Sequence, residues 1–85
     1  MPSKTVTVGS AIGLHARPAA IIAEAVVTAG VPVTLSVDGG DPIDAGSALM
    51  IMTLGAAHGA QVTVDSDDAG ALATIAGLVE QDLDA

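Results

Sequence analysis

Residues 31–45 read VPVTLSVDGGDPIDA, and this stretch decides how the chain must be arranged. Val33, Leu35 and Val37 alternate with Thr34 and Ser36, the period of a strand that buries one face and wets the other. DGGD at 38–41 is turn chemistry, because glycine and aspartate accept the backbone angles a tight reversal needs. PIDA at 42–45 then returns as a second short strand, with Pro42 tolerable at a strand start or on a sheet edge. A reversal this short makes the pair antiparallel, since a parallel pair needs a crossover of a dozen or more residues.

Working outward from the hairpin, KTVTV at 4–8 repeats the alternation through Val6 and Val8. Between these strands Ala19, Ile22, Ala23, Val26 and Val27 recur at helical spacing, and Gly30 and Pro32 supply the stop. After the hairpin, Ser47 is a good N-cap for the apolar run ALMIMTL at 48–54, which Gly55 can end. Periodicity alone also allows a buried strand there; a short helix is the favoured reading. AQVTVD at 60–65 gives a further strand through Val62 and Val64. Beyond the capping candidates Ser66, Asp67 and Asp68, a closing helix runs through Leu72, Ile75, Ala76, Val79 and Leu83. Gly70 and Gly77 weaken it by about 1 kcal/mol each.

The order βαββαβα has too few long crossovers for a doubly wound sheet. It predicts an α+β fold in one domain spanning 1–85, an antiparallel sheet with helices on one face. Thr5, Thr7, Thr34, Ser36 and Thr63 then face water on the other.

Composition narrows the function classes. The chain has 85 residues, 51% of them hydrophobic, with no Phe, Tyr or Trp, so its core is aliphatic and its stability modest. It has no cysteine, which excludes disulfides, thiolate zinc sites and thiol chemistry. A net charge of -8 with only two basic residues, Lys4 and Arg17, argues against nucleic acid and anionic membranes, which need clustered cations. The opening MPSKTVTVG lacks a basic segment followed by an apolar one, and no stretch reaches the roughly 20 apolar residues of a membrane span. A cytoplasmic monomer without cofactor or metal is expected.

One of the two basic residues stands two positions from a histidine, in GLHARPA at 13–19. Pro18 marks a helix beginning, since its missing N–H is no loss in a first turn, so His15 falls at or just before the N-terminus. Unpaired backbone N–H groups and the positive end of the helix dipole favour an anion there. Arg17 adds a permanent charge with donors suited to phosphate oxygens. A neutral imidazole nitrogen is nucleophilic at physiological pH, and the P–N bond it forms is labile, so histidine can both accept and surrender a phosphoryl group. Viewed alone, a histidine near an arginine at a helix start is usually structural or incidental.

GLHARPA resembles the active-site signature of HPr, the histidine-containing phosphocarrier family of the bacterial phosphoenolpyruvate-dependent sugar phosphotransferase system, and GSALMIMTLGA at 46–56 resembles that family's second motif. The resemblance covers essentially the whole chain. It implies an open-faced β-sandwich, four antiparallel strands covered on one side by three helices. It also implies that His15 takes phosphate through Nδ1 from enzyme I and passes it to the A component of a sugar permease, with Arg17 steadying the phosphate.

The same resemblance matches Ser47 to a serine phosphorylated by a dedicated HPr kinase in many Gram-positive bacteria, where a transcriptional regulator is the further partner; a plain N-cap is the other reading. Ala48, Leu49 and Met52 match partner-docking positions, and a core role for them stays open. His58, in GAAHGA, has no neighbouring ligand at metal spacing and reads as a solvent-facing loop residue. Two other function classes remain. A regulator acting through Ser47 alone is disfavoured by the His15 and Arg17 pair; a small βαββαβ ligand-binding module, if a metal carrier, would normally use cysteine pairs.

Overall fold

The computed structural model describes residues 3–11 and 13–81. Its elements follow the expected order: β1 (Ser3–Thr7), α1 (Ala16–Ala29), β2 (Thr34–Val37), β3 (Ile43–Asp44), α2 (Ala48–Thr53), β4 (Gln61–Asp65) and α3 (Ala69–Glu80). The four strands form one antiparallel sheet in the order β1-β4-β2-β3. The hairpin is present as read, with Leu35 opposite Ile43 and Thr34 opposite Asp44. β4, the last strand in sequence, sits in the interior of the sheet, with Val62 paired to Val6 on one side and to Val37 on the other.

The alternation has the consequence expected of it. Val6, Leu35, Val62 and Val64 are buried under the helices, while Thr5 and Thr7 on the opposite face are exposed and Thr34, Ser36 and Thr63 half-exposed. Hydroxyls there pair across strands: Thr5 Oγ1 lies 2.9 Å from Thr63 Oγ1, and Gln61 Nε2 donates to Thr7 Oγ1 at 2.8 Å. Ile22 of α1, Ile51 of α2 and Ile75 and Val79 of α3 are fully buried against the sheet. Each such side chain contributes about 1.5–3 kcal/mol relative to exposure.

The sequence reading is corrected at one position of α1, and the cap of α3 is narrowed to one of its three candidates. Val27, placed in the apolar stripe of α1, is 70% exposed, because eight residues at 100° each carry it past the edge of the stripe centred on Ile22 and Val26. The cap of α3 falls on Asp68, whose Oδ1 accepts the Ala71 N–H at 2.9 Å. Ser66 is buried instead, donating to the Pro32 carbonyl and accepting from the Asp68 N–H. Leu83 lies outside the described residues. Among the described residues no helix is long and apolar enough to cross a membrane.

Candidate functional site

The loop between β1 and α1 is held by hydrogen bonds from several directions. The Gly9 N–H donates to the Val79 carbonyl at 3.0 Å, at the end of α3, and buried Ser10 donates from its Oγ to the Gln81 carbonyl at 3.2 Å. The Gly13 N–H closes a turn onto Ser10, and the Leu14 N–H donates to the Ala56 carbonyl, both at 2.9 Å. Glycine is required at 13 for two reasons. Its φ is 77°, and a Cβ there would stand 2.4 Å from the Ala56 carbonyl oxygen, a clash between two backbones with no flexible group to yield.

His15 follows as the N-cap of α1, in extended geometry. Its neighbours anchor it: Leu14 is 3% exposed and Pro18 is fully buried, while His15 itself is exposed. The imidazole makes no capping hydrogen bond, so its ring nitrogens are not engaged in holding the helix. The helix begins at Ala16, two residues ahead of Pro18. Proline fits at this third position because the carbonyl its ring would strike, four residues back, belongs to Leu14 outside the helix. The first intrahelical donor is Ala19, whose N–H reaches the His15 carbonyl at 2.8 Å. The N–H groups of Ala16 and Arg17 therefore belong to the open first turn, at the positive end of a 14-residue helix. Arg17 is exposed and makes no ion pair among the described residues, so its charge is not committed to the fold.

The second motif forms the short helix α2. Ser47 caps it, its Oγ accepting the Met50 N–H at 3.3 Å. Just before it, the Asp44 carboxylate accepts the Gly46 N–H at 2.8 Å, setting a negative charge beside the helix start. Of the three residues read as a docking patch, Leu49 is 70% exposed, while Ala48 and Met52 are half-buried and pack against the core. Met50, which sequence reasoning passed over, is 40% exposed. Its signal lay in the helical period, since the core position Ile51 leaves its neighbours Met50 and Leu49 facing outward.

α1 and α2 pack antiparallel. The start of α1 lies against Ala56 and Ala57, just past the end of α2, whereas a Cβ at Gly46, just before α2, would meet Val26 Cγ1 at 3.6 Å. His15 and Ser47 thus mark opposite ends of the helix pair, separated by eleven residues of α1, roughly 16 Å at 1.5 Å per residue. The exposed His58 sits in the α2–β4 loop. Sequence reading isolated it, yet the adjacent Ala57 packs on Gly13, so the loops of both histidines are neighbours.

A family model described as the PTS HPr component phosphorylation site matches residues 2–81 of the chain. The phosphocarrier protein HPr of Streptomyces coelicolor is 42% identical over 80 residues, which cover 94% of this chain and 86% of that protein. Among solved structures, the phosphocarrier protein HPr of Bacillus anthracis superposes with a TM-score of 0.82 at 31% identity, covering 92% of this chain and 95% of the other. The HPr-C-His structure from Thermoanaerobacter tengcongensis gives a TM-score of 0.88 at 26% identity, covering 100% and 98%. Matched by the family model and by a 42% identical relative along nearly its whole length, the chain belongs to the HPr family, the phosphocarriers of the phosphotransferase system.

Proposed function

We propose that His15 is the residue on which this phosphocarrier bears its phosphoryl group, and that Arg17 and the first turn of α1 hold the phosphate while it is carried. The observation behind this reading is an exposed imidazole at a helix N-cap that makes no capping bond, two positions in sequence from an exposed arginine that makes no ion pair among the described residues. The donor is the phosphohistidine of enzyme I. The lone pair of His15 Nδ1 attacks its phosphorus, the new P–N bond forms as the old one breaks, and the donor leaves as neutral imidazole if its other ring nitrogen carries a proton. His15, with Nε2 protonated throughout, becomes the phosphohistidine, and no net proton is exchanged with water. The reverse geometry passes the group to the A component of a sugar permease. Charge spreads over the phosphoryl oxygens during transfer, and catalysis there is mostly positioning and electrostatics. The protein works in this scheme as a cytoplasmic single-domain monomer.

The phosphorylated protein, made with phosphoenolpyruvate and enzyme I, should lose its phosphate in mild acid and keep it in alkali, as a P–N bond does. A phosphate that survives acid would place the modification on a hydroxyl and defeat the assignment.

Leu49 supplies the exposed apolar contact for these partners, with Ala48 and Met52 at its base; unbranched methionine and leucine side chains repack cheaply against different surfaces. Phosphorylation of Ser47 by an HPr kinase, read by a transcriptional regulator, would act on that contact from the end of the helix pair remote from His15. Ser47→Asp mimics the charge and keeps an oxygen to cap Met50. The cap is retained but Asp44 adds a like charge, so stability should stay within about 1 kcal/mol of the parent. Transfer from enzyme I should slow through a raised KM for the carrier, with kcat less affected. A fall in kcat at unchanged KM would mean that the charge reaches His15 itself.

A further inference from the structure

Among the described residues, the flank of α1 that faces α3 is not closed. Between α1 and α3 runs a groove of about 660 Å³ whose floor includes Ile21, Ala25, Val31, Ile75 and Leu78. It exists because small residues, Ala25 on one helix and Gly70 and Ala71 on the other, leave the space between two helix backbones unfilled. Among the described residues its only charged lining groups are the carboxylates of Glu24 and Asp68, both on exposed residues. Neither basic residue of the chain lines it.

We propose that this groove is a docking site for a basic amphipathic helix of a partner protein. An apolar trough flanked by carboxylates matches a helix with a leucine-type stripe bordered by lysines or arginines, the helix-in-groove mode of recognition. Charge selects this occupant over a second copy of the chain. Two copies, each of net charge -8, would bring acidic rims together with no cation in either groove to offset them. No residue of α2 lines the groove, so it is separate from the surface assigned to the phosphotransfer partners and from His15.

The test uses the full chain and an end-labelled synthetic peptide of Leu and Lys in helical amphipathic order, followed by fluorescence anisotropy and by amide shifts of the protein. A scrambled isomer of the same composition separates groove binding from bulk attraction to an acidic protein. The ordered peptide should bind at least about tenfold more tightly than its isomer, with shifts concentrated in residues 21–31 and 68–78. Ala25→Leu, which fills the trough, should weaken binding about tenfold or more. Glu24→Gln combined with Asp68→Asn, where asparagine keeps the cap of α3, should weaken it by about the same factor at low salt. The second variant serves if the first does not fold. His15→Ala should leave peptide binding unchanged. Equal binding of the two isomers, shifts confined to α2 and the His15 loop, or affinity indifferent to both groove variants would each overturn the proposal. So would concentration-dependent self-association that Ala25→Leu abolishes, since the occupant would then be a second copy.

Discussion

Replacing His15 by alanine should abolish phosphoryl transfer from enzyme I and leave the fold standing. The two halves of this expectation have separate physical grounds. Transfer ends because none of the residues that follow His15 in the first turn of α1, Ala16, Arg17 and Pro18, carries an imidazole to accept the phosphoryl group. The fold survives because the His15 ring is exposed and caps nothing, while the bonds that shape the loop come from the backbone of Gly9, Gly13 and Leu14 and the hydroxyl of Ser10. Alanine therefore removes no side-chain hydrogen bond seen among the described residues, and the melting temperature should move by only a few degrees, about 0.5 kcal/mol or less. A variant that loses transfer and unfolds together would mark the histidine as structural.

Arg17→Ala should show the second-largest effect, a fall in phosphotransfer of roughly tenfold to a thousandfold, or about 1.4 to 4 kcal/mol of transition-state stabilisation. The guanidinium is exposed and without an ion pair among the described residues, so its loss should barely alter stability. Arg17→Lys should recover part of the rate, since lysine restores the charge and lacks the planar fork that meets two phosphate oxygens at once. The gap between lysine and alanine measures charge, and the gap between arginine and lysine measures geometry. Transfer at the parental rate in the alanine variant would assign Arg17 no part in holding the phosphate.

The hairpin, the element order and the one-sided sheet were legible in the sequence because period-2 and period-3.6 patterns are local. The position of His15 was legible for the same reason, since Pro18 and the apolar stripe of α1 place the helix start within a residue or two. What local pattern could not carry was pairing between distant segments. Nothing in QVTVD says that β4 lies between β1 and β2, as any of the alternating strands presents the same face. The antiparallel docking of α2 on α1, which sets Ser47 far from His15, depends on the contacts of Gly46 and Ala56, and glycine and alanine advertise no partner. The exposure of Val27 and the closeness of the His58 loop to Gly13 likewise arise from how elements meet. The trough between α1 and α3 is a further case, for its alanines and glycines read in sequence as ordinary helix filler and become a surface feature only when two helices set them face to face.

The central claim, that phosphate is carried on His15, is tested most directly by incubating the chain with phosphoenolpyruvate and enzyme I and locating the modification by mass spectrometry under neutral conditions. Because the loops of His15 and His58 are neighbours, the two histidines must be resolved in separate fragments. A single phosphoryl group on His15, absent from His15→Ala and present in His58→Ala, is the predicted result; phosphate on His58, on Ser47, or on no residue at all would contradict it.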